Sequence, residues 1–245
     1  MKKGIRAHII IAFWLICAGL AGTFSPLQAQ QSLMSRNLRP TGHKENYGMN
    51  LLHFVHLYGG LGMIAGPSEN EGGRIIYGVS LNPEVGGRYK LRVSRHHAFG
   101  ADLSYTLYSY KISQKPGKTL PDTILHKAER FIFSKITLGI YHRYSFGRVG
   151  NYIGRFLDIG VYGDWIHYSD HYFRNRYDDG LVIRSHVSGL DYIRNFQYGA
   201  YMRFGITRYA FFARYRISDY FAPSAELPEL PRFTMGIQVG LHKVN

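Results

Sequence analysis

From about residue 51 onward, apolar side chains recur at every second position rather than at helical spacing. Between Ile75 and Val93, one parity holds Ile75, Tyr77, Val79, Leu81, Val85, Tyr89, Leu91 and Val93. The other holds Gly78, Ser80, Asn82, Glu84, Gly86, Arg88, Lys90 and Arg92. The same division sets Phe99, Ala101, Leu103 and Tyr105 against Gly100, Asp102, Ser104 and Thr106. It recurs with Ile153, Leu157, Ile159, Val161 and Trp165 against Gly154, Asp158, Gly160 and Asp164. Successive side chains of a strand point to opposite faces, so each strand is expected to carry one aliphatic and aromatic face and one of glycine, hydroxyl and charge. An antiparallel sheet with one wet face alternates in the same way.

Loop lengths decide between a soluble sheet and a membrane barrel. Eight strands are predicted, over about Leu51–Ile64, Ile75–Val93, Phe99–Ile112, Glu129–Phe146, Tyr152–His167, Leu190–Gly205, Tyr209–Ile217 and Arg232–His242. Short connections (Ser94–Ala98, Gly147–Asn151, Ile206–Arg208) alternate with long ones (Ala65–Arg74, Ser113–Ala128, Tyr168–Gly189, Ser218–Pro231). An even-numbered, up-and-down, antiparallel transmembrane β-barrel with short periplasmic turns and long extracellular loops shows this alternation. Several strands exceed the usual length in soluble sheets, and Pro83 marks a bulge or an end of pairing in the second. Tyr105, Tyr144, Phe146, Trp165, Tyr209 and Phe211 fall on the apolar parity, several near strand ends, where aromatic girdles meet the headgroups.

The start of the chain supplies an address. Lys2, Lys3 and Arg6 precede an apolar run from Ile9 to Leu20, and Ser25–Ala29 reads as a cleavage region. Residues 1–29 are therefore expected to be a secretory signal, with 30–50 a periplasmic extension and 51–245 the barrel. Cys17, the single cysteine, lies inside that signal, so disulfides and thiolate metal sites are not expected in the mature chain.

Composition fits this picture. Glycine (28 residues), tyrosine (20) and phenylalanine (15) are abundant, as β structure favours for the aromatics. Removing the three basic residues of the signal lowers the formal charge from +14 to +11. In an exported chain that excess points to anionic lipid and lipopolysaccharide rather than to nucleic acid; other envelope proteins are further expected partners.

The segments Gly86-Gly87-Arg88-Tyr89, Ala213-Arg214-Tyr215-Arg216-Ile217-Ser218-Asp219-Tyr220-Phe221 and Pro231-Arg232-Phe233-Thr234-Met235-Gly236-Ile237 resemble the small porin-like outer-membrane β-barrels of Bacteroidota. That resemblance implies an integral barrel of the outer membrane and, for some members, association with type IX secretion. The final strand alternates Phe233, Met235, Ile237, Val239 and Leu241. It then runs into His242–Asn245, without the terminal aromatic common in outer-membrane assembly signals.

Eight strands enclose a lumen that side chains can fill. The inward parity carries Glu84, Asp102, Asp158 and Asp164 beside Arg88, Arg92, Lys135, Arg143, Arg203, Arg214 and Arg216. Buried charges must be paired, so an internal salt-bridge network and a plugged or narrow lumen are expected. The role this implies is structural or interactive, as an accessory component of a secretion or surface-assembly complex. Two alternatives are a narrow anion-preferring channel and an outer-leaflet lipid hydrolase. For the second, His167 and Ser169 stand two apart and so share a face, a base beside a nucleophile. Their His-x-Ser spacing is similar to that of lipid A 3-O-deacylase barrels. No cofactor and no metal is expected: no zinc, EF-hand or phosphate-loop spacing occurs. His53 and His56 fall on opposite faces, and His96-His97 falls in a turn.

Overall fold

The computed structural model describes residues 47–68, 71–146, 153–176 and 182–242. Nine strands form one antiparallel sheet: β1 (His53–Ala65), β2 (Leu81–Arg92), β3 (His97–Lys111), β4 (Ala128–Phe146), β5 (Arg155–Arg176), β6 (Val182–Ser188), β7 (Phe196–Ile206), β8 (Tyr209–Arg216) and β9 (Phe233–Leu241). Each barrel strand pairs with its neighbour, β5 pairs with β7, and β9 returns to β1, which closes a ring of eight. Strand β6 stands outside that ring and pairs only with the upper part of β5.

The register fixes the geometry of closure. Partners followed once around the ring lead from His53 through Leu91, Phe99, His142, Ile159, Met202, Ala213 and Met235 to Met63, ten positions beyond the start. A stagger of ten residues across eight strands corresponds to a tilt of about 40° and a narrow, side-chain-filled interior.

The two faces invert the order of a soluble protein. Leu103, Leu138, Ile140, Ile159, Met202 and Ile237 point outward, and Leu138 and Ile140 are 59% and 60% exposed. Arg143, Asp158 and Arg203 point inward at 2% or less. On β4 the outward apolar side chains run from Ile136 to Phe146, a band about 25 Å tall at this tilt. Aromatic rings border it: Tyr144, Phe146, Tyr209 and Phe211 toward the turn end, Tyr105 and Trp165 toward the loop end. Inside, tyrosine rings lie on glycines of the neighbouring strands. A Cβ at Gly100 would come within 2.3 Å of the Tyr141 ring, and one at Gly160 within 2.9 Å of Tyr201.

The structure departs from the sequence expectation at three strands. The second begins at Leu81, not Ile75: Ile75 is buried beneath the loops and bridges Ile112. Pro83 lies within β2, where the ladder to β3 breaks off between Leu81 and Glu84, and the Asn82 amide donates to the Leu107 carbonyl instead (3.2 Å). The fifth strand continues to Arg176, nine residues past His167, and turns back as β6, so 168–189 is largely a protruding hairpin rather than a loop. The strand expected from Leu190 begins at Phe196, because Leu190 and Ile193 fold into the mouth of the barrel. The signal residues 1–29, nearly all of 30–50 and the turn Gly147–Asn151 lie outside the described residues.

Candidate functional site

The inward parity produces two connected layers of charge. In the layer nearer the turn end, Asp102 on β3 accepts from Arg88 Nε on β2 (2.7 Å), Arg203 Nη1 on β7 (2.6 Å) and the Tyr201 hydroxyl (2.9 Å). Asp158 on β5 takes a two-pronged bond from Arg143 Nε (2.6 Å) and Nη2 (2.8 Å), and a third from Arg203 Nε (3.1 Å). Arg203 therefore joins the two carboxylates. Three guanidinium groups outnumber two acids here, and rings absorb the excess: Arg143 lies 3.7 Å over Phe156, and Arg203 lies 4.8 Å and 4.9 Å from Tyr141 and Tyr201.

In the second layer Arg214 reaches Glu84 (3.0 Å), whose other oxygen accepts from the Gln238 amide; Gln238 in turn accepts from Arg88 (2.7 Å) and links the layers. Lys135 donates to Gln197 (2.7 Å) and Asp164 (3.3 Å), while Thr137 donates to Asp164 (2.6 Å). Arg216 pairs with Glu229 at 2.8 Å and holds the last loop in the mouth. Two inward-parity charges of β2 stand apart at the turn end: half-buried Arg92 donates to the Asn50 carbonyl and Lys90 to the Met49 carbonyl. Alternation alone assigns a face and cannot see which backbone carbonyl a side chain meets there.

Apolar clusters close both ends. At the loop end Phe131, Phe133, Tyr110 and Tyr220 pack with Ile75, Leu120, Ile193, Phe221 and Leu230, so every long connection contributes a side chain. At the turn end Phe54, Ile153, Phe156 and Ala210 form a smaller lid, with Met49 against it. Between them lies a cavity of about 10 Å³ beside Lys135, Tyr162 and Tyr220, room for one water molecule. The described lumen is filled.

His167 and Ser169 do not come together. Lys135 pairs with Ile166 and Ser134 with Tyr168, so His167 is an extra residue in β5. Such a bulge reverses the parity of everything beyond it. His167 is exposed on the outer face beside Tyr105 and Trp165. Ser169 is turned inward and buried, accepting from the Leu190 amide (3.2 Å). The shared face needed for a base and nucleophile is absent, which overturns the hydrolase arrangement.

Sequence spacing also missed a cluster at the loop end. Ligand atoms of Asp122, His126 and Glu129 lie within 4.8 Å of one another. The Lys118 ammonium sits among them, 2.5 Å from Glu129 and 3.3 Å from Asp122, and takes the place a metal cation would have. His171 contacts Glu129 at 2.7 Å and the Gln114 amide donates to it at 2.7 Å. Burial pushes the Glu129 carboxyl up, but these partners outweigh it and hold it below its ordinary value of 4.5. A depressed acid adds stability above the unfolded value, and that stability is lost as pH falls through the folded one. The segment 112–127 is accordingly expected to loosen below about pH 4.5. Glu129→Gln should show the same looseness at pH 7, read as spin-label mobility at exposed Thr123; a rigid label in both cases would refute the lock.

No protein-family model matches the chain, and no curated protein is similar to it. Among solved structures, one that it is similar to is Ail, the attachment invasion locus protein of Yersinia pestis, in complex with the heparin analogue sucrose octasulfate. The identity is 10% over 76% of this chain and 94% of that one, with a TM-score of 0.32. The barrel assignment for this chain rests on its own closed register.

Proposed function

We propose that this protein is an integral outer-membrane β-barrel with a sealed lumen, acting as a structural or interaction subunit through the surfaces it presents beyond the bilayer. The carrying observation is the inversion of its faces: a predominantly apolar band outside and a paired charge network inside. A band of that height matches the hydrocarbon thickness a barrel must cover. The filled interior leaves the loop-end cap and the β5–β6 hairpin as the working surfaces. An accessory place in a protein secretion or surface-assembly complex follows from this reading together with the resemblance of the closing segments to Bacteroidota barrels.

A charge on the band separates membrane from water. Ile140→Arg is expected to lower stability in lipid vesicles by about 2–4 kcal/mol, the cost of arginine near a bilayer midplane. An exposed isoleucine of a soluble protein would tolerate the change within about 0.5 kcal/mol. Urea titration of vesicle-reconstituted protein measures it, and a neutral result would refute the membrane location. Chemical crosslinking on intact cells, followed by mild detergent extraction, tests the subunit role; a strictly solitary barrel would refute it.

A further inference from the structure

Above the bulge, β4, β5 and β6 form a three-stranded extension whose outward face is a grid. Ile132, Asp170 and Ser188 make its lowest row, Arg130, Tyr172 and His186 the next, and Ala128, Arg174 and Arg184 the highest. Directly opposed residues on antiparallel strands hold their Cβ atoms about 5 Å apart, and like charges so placed repel. Arg174 and Arg184 are such a pair, with Arg130 on the adjoining strand. Among the described residues none of the three arginines makes an ion pair, and Arg174 Nε is buried without a hydrogen-bond partner. Among the described residues the one carboxylate on the face is Asp170, which already accepts from Ser188 (3.2 Å) and contacts His186 Nδ1 (3.2 Å). Between the arginines, the Tyr172 and His186 rings lie 4.7 Å apart and form a ledge.

Three guanidinium forks around an aromatic ledge suit an anionic sugar: phosphate oxygens accept paired N–H bonds while a pyranose face rests on the ring. Height selects the source. Arg130 lies six residues beyond Ile136, the last exposed aliphatic side chain on the band of β4, which at this tilt is about 15 Å above the hydrocarbon edge. The headgroup layer of a phospholipid bilayer is only about 5–7 Å deep on each side. The sugars of a glycolipid reach further.

We infer that this face binds the phosphorylated core saccharide of neighbouring lipopolysaccharide through Arg130, Arg174 and Arg184, with Tyr172 and His186 as the stacking surface. The inference rests on the outer-membrane reading above. The test uses full-length protein in detergent micelles, with purified core-bearing lipopolysaccharide as probe, before and after its phosphates are removed with hydrofluoric acid. Arg174→Ser with Arg184→Ser lies above the apolar band, on the extension of β5 and on β6, and its folding is checked by the heat-dependent shift in gel mobility. The expected result is at least a tenfold weaker affinity in the double variant, and a similar loss for wild type with dephosphorylated probe. Equal affinity in either comparison overturns the inference, as does stronger binding of soluble heparin than of lipopolysaccharide. If wild type fails to fractionate with the outer membrane, the location reading falls as well. Correct fractionation with unchanged affinity removes this inference alone.

Discussion

Asp158→Ala is expected to lower the stability of the folded barrel by about 3–5 kcal/mol, enough to abolish the folded band on an unheated gel. The aspartate is fully buried and accepts from both Arg143 and Arg203. Its removal leaves three donors facing a smaller methyl group, in a layer that already holds three guanidinium groups against two carboxylates. Arg203 keeps Asp102, but Arg143 keeps only the Tyr141 and Phe156 rings. Truncating one partner of a buried pair costs more than removing both, so Asp158→Ala combined with Arg143→Ala should recover part of the loss. Urea midpoints of the single and double variants decide the matter. A single variant as stable as wild type would mean that the layer is hydrated and its charges are not coupled.

Phe133→Ala is expected to cost a comparable 3–5 kcal/mol, as for large aromatic truncations in packed cores. Phe133 is wholly buried at the centre of the loop-end cap, stacked on Tyr220 at 4.8 Å and set edge-on to Tyr110 at 5.9 Å. Tyr220 in turn covers the Lys135 ammonium at 4.4 Å and the Arg216 guanidinium at 4.0 Å. Loss of the ring thus loosens the cap and uncovers the upper charge layer together. Planar-bilayer recordings should show no steady current for wild type and brief openings for the variant. Unaltered stability and silence in the variant would show that the cap does not depend on this ring.

The sequence made the faces legible and left the contacts hidden. Period-two alternation assigns Glu84, Asp102 and Arg203 to one surface because a strand has only two. It cannot bring Asp102 to Arg203, which closure of the ring sets at 2.6 Å across a separation of 101 residues. Alternation also fails where the environment stops being two-sided. From Tyr168 to Arg176, polar and aromatic side chains occupy both parities, since above the apolar band neither face meets lipid. The strand there reads as loop, and with it the bulge at His167 and the hairpin partner β6 are lost. The opposite error occurs at Ile75, Tyr77 and Val79, where alternating apolar residues belong to the approach to the cap. Clusters such as Lys118 with Glu129 depend on how a long loop folds back, which no fixed spacing encodes.

Closure of the ring by β1 and β9 bears on how the protein can be made. Glu84 on β2 relies on Arg214 on β8, and Arg203 on β7 relies on Asp102 on β3 and Asp158 on β5, so neither half of the chain neutralises all of its inward charges. The β7–β8 hairpin entering lipid alone would carry the Arg203 and Arg214 guanidinium groups bare into hydrocarbon. On the proposed outer-membrane location, insertion is therefore concerted and waits for the last strand. A chain truncated before Phe233 should then remain in the periplasm as a substrate for chaperones and proteases, without ever becoming a smaller barrel.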